Sequence, residues 1–186
     1  FTGVTGNWND LSGTSTSPNR YVKETLLAAS PLTVNAGAGA VTFSGAIGQK
    51  KALGDVAVTG GAITLGAATS VGTNTLTVTA STSTTASAAA ITAASLVLQG
   101  AGAHNFKNVA NNIATLAAGT VAQPVGSLGY YDADTLTVGT VGSVVGIMSN
   151  GAVEVYALGN LTVAAGVSAA TADAAVVLKS RVNVLQ

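Results

Sequence analysis

A chain of 186 residues is long enough for one domain with a substantial core, yet only 8% of its residues are charged, against about a quarter in ordinary soluble domains. Seven basic and seven acidic residues cancel, so no long-range field gathers nucleic acid or an anionic lipid surface, and no nucleic-acid partner is expected. The absence of cysteine excludes a disulfide scaffold, a thiolate metal site and a cysteine nucleophile.

Mean hydropathy is high at +0.51. Even so, Gly, Thr, Ser or Asn interrupts every apolar run before it reaches the roughly eighteen residues of a spanning helix, so no membrane insertion is expected. The chain opens on Phe1 without the basic, apolar and small-residue succession of a signal peptide, and reads as a mature or excised piece of a longer product.

Residues 1–30 differ from the rest of the chain. They hold the only Trp, Trp8, and the charged residues Asp10, Arg20, Lys23 and Glu24. Asn7-Trp8-Asn9-Asp10 and Ser15-Thr16-Ser17-Pro18-Asn19 are turn and loop chemistry, so this segment is expected to be an atypical cap, arm or linking element.

From residue 31 to residue 186 the pattern is strand, turn, strand. In Leu32-Thr33-Val34-Asn35 the aliphatic side chains point one way and the polar ones the other. Ala36-Gly37-Ala38-Gly39 turns the chain, and Val41-Thr42-Phe43 repeats the alternation. The next coil has the same order: Val56 and Val58, a turn at Gly60-Gly61, then Ile63 and Leu65.

Val56, Leu76, Leu96, Leu116 and Leu136 lie twenty residues apart, and a fixed period of that size marks a solenoid whose coils bury their apolar sides against each other. The expected inner ladder is Leu32, Val56, Leu76, Leu96, Leu116, Leu136, Leu161 and Val182. A second inner row runs through Val34, Val58, Val78, Leu98, Ala118, Val138, Val163 and Val184. The fold class is therefore all-β, a parallel β-helix with coils of about 20–25 residues, stacked at roughly 4.8 Å per strand. Ala-rich Ala86–Ala94 and Val109–Ala118 compete as helices, but the twenty-residue register runs through both, and both are read as coil.

Leu32-Thr33-Val34-Asn35-Ala36-Gly37, Val41-Thr42-Phe43-Ser44-Gly45-Ala46-Ile47-Gly48 and Leu161-Thr162-Val163 resemble the repeats of filamentous-haemagglutinin-like exoproteins, the β-helical proteins that Gram-negative bacteria secrete by autotransporter or two-partner routes. The resemblance covers residues 32–184. It implies a right-handed parallel β-helix on the cell surface, structural or adhesive, with surface glycans or host receptors as its external partners.

Reactive side chains are few. His104, the only histidine, has neither a second histidine nor a cysteine to complete a metal site, and is read as a loop or coil-corner residue. Asp132 and Asp134 form the only close acidic pair; alternate spacing places them on one strand face, where Ca²⁺ binding or an acid/base couple is the candidate chemistry, and a loop with surface carboxylates is the plainer reading. Tyr130 and Tyr131 beside them suggest a small sugar-stacking platform.

A glycan-active β-helix enzyme is the minor alternative. The lysines Lys23, Lys50, Lys51, Lys107 and Lys179 do not gather beside the acidic pair by coil arithmetic, so no catalytic activity and no cofactor are expected.

The outward column Thr33, Ala57, Thr77, Val97, Ala117, Thr137, Thr162 and Asn183 is only half Thr. It reflects β-propensity and stacking of small side chains rather than a flat ice-binding array. Gly37–Gly39, Gly60-Gly61 and Gly100–Gly102 lack the Lys-Ser/Thr of a phosphate loop and are turns. Flanking solenoid repeats, or copies of the chain stacked head to tail as an extracellular filament or sheath, are the expected partners at the coil ends.

Overall fold

The computed structural model describes residues 29–49, 53–86 and 88–186. Among these the chain is all-β without helix, and its parallel strands stack as a β-solenoid of about seven turns. The expected cap or arm falls, up to residue 28, outside the described residues, as do Lys50 and Lys51.

The chain up to residue 118 supplies β1 (Ser30–Asn35), β2 (Val41–Phe43), β3 (Leu53–Leu65), β4 (Thr69–Ser70), β5 (Thr75–Thr85), β6 (Ile91–Gln99), β7 (Ala103–Phe106) and β8 (Asn112–Ala118). The middle supplies β9 (Ser127–Asp132), β10 (Leu136–Val138), β11 (Thr140–Val141), β12 (Val144–Val145), β13 (Ile147–Ser149) and β14 (Val153–Ala157). The last coils hold β15 (Leu161–Val163), β16 (Val167–Ala169), β17 (Val176–Ser180) and β18 (Val184–Leu185).

Two long ladders of parallel pairs run along the solenoid. One joins β1, β3, β5, β6, β8, β10, β15 and β18. The other joins β2, β3, β5, β7, β9, β14 and β17. A short third wall runs from Ile47 through β4 to the first halves of β6 and β8. A fourth begins at Ala118 and continues through β13 and β16, so the later coils have a wall that the earlier ones lack.

The core lies between these walls because alternate residues of each strand point inward. Val56, Val58, Leu76, Val78, Leu96, Leu98, Leu116, Ala118, Leu136, Val138 and Leu161 are buried, and Leu32, Val34 and Val163 are half-buried toward the ends. Each fully buried aliphatic side chain contributes about 1.5–3 kcal/mol relative to exposure. The opposite wall adds Ile63, Phe106, Tyr130, Leu128, Val153 and Val155.

The inner ladder departs from the twenty-residue arithmetic at two places. Leu116 pairs with Val138 rather than Leu136, and Leu161 pairs with Val184 rather than Val182. Each shift is of two residues, which keeps side-chain parity and so leaves the apolar residues inward. Val182 falls in the turn before β18 and is 60% exposed, and Val184, at the edge of the stack, is 50% exposed.

Gly60-Gly61 also differs from expectation. It is a bulged corner inside the continuous strand β3, with the register slipping between Gly60 and Ala62. A Cβ on Gly61 would sit 2.3 Å from the Ala38 carbonyl oxygen, so only glycine lets the coils close here. The Ala-rich segments that competed as helices carry β6 and β8.

The long coil between Leu136 and Leu161 is explained by a lateral hairpin. β11 and β12 pair antiparallel, and Gly146 N donates to Gly139 O at 2.9 Å to close its base. The hairpin folds Val144 and Val141 over Val97 and Ala117. Two of the outward positions that broke the threonine column are therefore buried, with Val97 6% and Ala117 0% exposed.

Candidate functional site

Adjacent strand residues face opposite ways, and this separates the residues around Asp132. Tyr130 points into the core and is fully buried, whereas Tyr131 lies half-buried on the outside. The two tyrosines therefore cannot form a joint platform. β9 stops at Asp132, and Asp134 sits beyond it in the turn, so the acidic pair does not share a strand face.

Asp132 turns inward, fully buried. Its Oδ2 accepts hydrogen bonds from the Tyr130 hydroxyl at 2.6 Å and from Ile113 N at 3.1 Å, and its Oδ1 accepts from Asp134 N at 3.0 Å. Exposed Asp134 accepts from Asn112 Nδ2 at 3.1 Å. Burial pushes the Asp132 carboxyl up to about 6, against the pull of its hydrogen bonds, and raises the Tyr130 hydroxyl well above its ordinary range. Among the described residues no group of three or more His, Asp or Glu side chains gathers as a metal site. The Asp132 carboxylate is engaged in closing a coil corner.

Asn111, a residue that the sequence reasoning overlooked, does the same one coil earlier. Its Oδ1 accepts from Ile91 N at 2.9 Å, while its Nδ2 donates to Phe106 O at 2.7 Å and Tyr131 O at 3.1 Å. The available signal was its position about one coil before Asp132, ahead of the apolar Ile113.

His104 lies in β7 with its side chain in the core, 2% exposed, not at a corner. It stacks between Thr84 below and Leu128 above in the inner register, with Phe106 6.5 Å away by ring centroids. Neither ring nitrogen has a hydrogen-bond partner, and neither does the buried Thr84 Oγ1. Burial lowers the imidazole to about 4; the Gln99 and Gly100 backbone pulls the other way without reaching good hydrogen-bond geometry. His104 is neutral at physiological pH.

Chemically diverse side chains meet instead on the outer face of β9, β14 and β17. Tyr131 is opposite Tyr156, and Tyr156 is opposite Lys179. Lys107 follows Phe106, which pairs with Tyr130, so it heads the same outward column. In the neighbouring outward column Glu154 is opposite Gly129.

The Lys107 Nζ reaches Glu154 Oε2 at 2.6 Å, and the Tyr131 hydroxyl donates to Glu154 Oε1 at 3.2 Å. The Lys107 ammonium is also 5.7 Å from the Tyr131 ring centre. Gly129 makes this diagonal reach feasible, because a Cβ there would lie 2.3 Å from the Lys107 Cε.

The hydrogen bond and opposite charge hold Lys107 above and Glu154 below their ordinary pKa values. Tyr131 and Tyr156 meet at 84° with centroids 5.7 Å apart. Lys107 and Lys179 stand at the two ends of this column rather than beside Asp132 and Asp134, and its successive members are 23 to 25 residues apart. Comparison of the chain with protein-family models, with curated proteins and with solved structures gives no match.

Proposed function

We propose that this chain is a structural or adhesive β-solenoid segment of a secreted bacterial cell-surface protein, of the filamentous-haemagglutinin-like type that its repeats resemble. The observation that carries this reading is the pair of long parallel ladders around one aliphatic core. Backbone hydrogen bonds directed along the stack make such an object stiff in the direction in which it projects. Most of the outer surface is small and uncharged, as befits a shaft rather than a reaction vessel. No catalytic role is proposed for Asp132, whose carboxylate is buried and bonded within its own corner.

The test is immunogold labelling of intact source cells with antibody to the purified chain. The expected result is label on the outer surface that external protease removes. Label that appears only after permeabilisation would sink the proposal.

A second reading, a subunit that stacks head to tail into a filament or sheath, is favoured by the last coil. Among the described residues nothing pairs with the outer edges of β17 and β18. There Val176, Val184 and Leu185 are exposed beside an open depression of about 340 Å³ lined by Val163, Val167 and Leu178. Unpaired strand edges template the addition of further strands.

A further inference from the structure

We infer that the outer face built by Lys107, Tyr131, Glu154, Tyr156 and Lys179 is a binding site for a saccharide that carries a carboxylate. The inference deepens the adhesive reading above and rests on it for its biological setting, but the binding itself is a property of the isolated chain.

Each part of the site supplies something such a ligand needs. Tyr131 and Tyr156, both half-buried, meet nearly at right angles and form a corner rather than one flat plate, and with Lys107 over the Tyr131 ring it is Tyr156 that offers a ring to stack on. The electron-rich face of an aromatic ring attracts the polarised C–H bonds on the apolar side of a pyranose. Beside that corner, Glu154 is an acceptor and Lys107 a donor held 2.6 Å apart, a juxtaposition that matches the neighbouring hydroxyls of a sugar. The Tyr131 hydroxyl fixes the Glu154 carboxylate from the other side at 3.2 Å.

Lys179, exposed and one strand beyond Tyr156, has no carboxylate within ion-pair distance among the described residues. Its ammonium is free to take the carboxylate of a ligand lying on the ring next to it. The column is also parallel to the stack, with a residue every strand step of roughly 4.8 Å, so the site is an elongated strip suited to a chain of sugar units.

The same combination of aromatic and basic residues serves single-stranded nucleic acid in other proteins. Glu154 decides against that here. Its carboxylate takes hydroxyl donors, which a sugar supplies and a phosphodiester backbone does not, and because it is paired with Lys107 only Lys179, among the described residues, remains on this face for an anionic backbone.

The test is calorimetric titration of the purified chain with tetragalacturonate, with neutral cellotetraose and an oligothymidylate as comparison probes. Tetragalacturonate is expected to bind at least about tenfold more tightly than cellotetraose. Its affinity is expected to fall with added salt. Tyr156→Ala and Lys179→Ala are each expected to weaken it about tenfold or more, and Lys179→Arg to retain it. Both residues lie on the outer surface, and an unchanged far-UV circular dichroism spectrum confirms that the variants fold. The inference is overturned if tetragalacturonate does not bind, if cellotetraose or oligothymidylate binds as well, or if the two alanine variants bind like the parent. Such a failure condemns this site alone, because the surface-shaft reading is judged separately by labelling of intact cells.

Discussion

His104 and Asp132 are buried ionisable residues with opposite effects on stability. The imidazole binds its proton at about 4 in the fold against 6.5 for the free side chain. Between those values the unfolded chain holds more protons, so acidification from pH 6.5 to pH 4 destabilises the fold through His104. Asp132 is raised from 3.8 to about 6, so between those values the folded chain holds more protons and acidification stabilises it. Each shift corresponds to about 3 kcal/mol, and over the shared window the two largely offset each other. Stability of the parent chain is therefore expected to vary little between pH 6 and pH 4 from these two groups. His104→Leu removes an unpartnered buried polar ring, which is expected to add about 1–3 kcal/mol at pH 7. It also leaves Asp132 unopposed, so this variant is expected to gain stability as pH falls from 6 to 4. Urea titrations of parent and variant at both pH values check this, and parallel pH profiles would refute it.

At the scale of elements, the ladders and the lateral hairpin do separable work. The hairpin Thr140–Val145 shields Val97 and Ala117 on the outside of the solenoid, while the core lies on the inner side of the same strands. Because Gly139 O and Gly146 N are already bonded at the hairpin's base, replacing residues 140–145 by Asn-Gly should leave the coil path intact. The expected outcome is retained β circular dichroism with a loss of about 1–3 kcal/mol, from exposing Val97 and deleting the burial of Val144. A loss of the β spectrum would show instead that the hairpin directs the coils. Gly61 belongs at this scale as well, since the bend of β3 brings its backbone against Ala38 and joins two walls of the same coil.

At the scale of the whole molecule, the weakly charged chain offers little electrostatic repulsion between copies. Sedimentation velocity over a rising concentration series tests the stacking reading. Association into long species is expected, and Val184→Lys with Leu185→Lys should abolish it by placing charge on the exposed edge strand. Both positions are exposed, so the substitutions leave the core unchanged. A parent chain that remains monomeric throughout would refute head-to-tail assembly.

The sequence by itself determined the all-β class, the stacking of coils and which face of each strand is apolar. Those properties follow from short-range alternation and a repeat that each coil carries within itself, as in Leu76-Thr77-Val78 and Leu96-Val97-Leu98. Only the tertiary structure decided the pairing of Leu116 with Val138 and of Leu161 with Val184, because a change in coil length slides whole strands past each other while preserving parity. It also decided that Tyr130 and Asp132 serve the interior, and that Lys107, Glu154, Tyr156 and Lys179 share one outer face. Those side chains come from successive coils, and their meeting depends on backbone registers set by intervening loops, which no local pattern encodes.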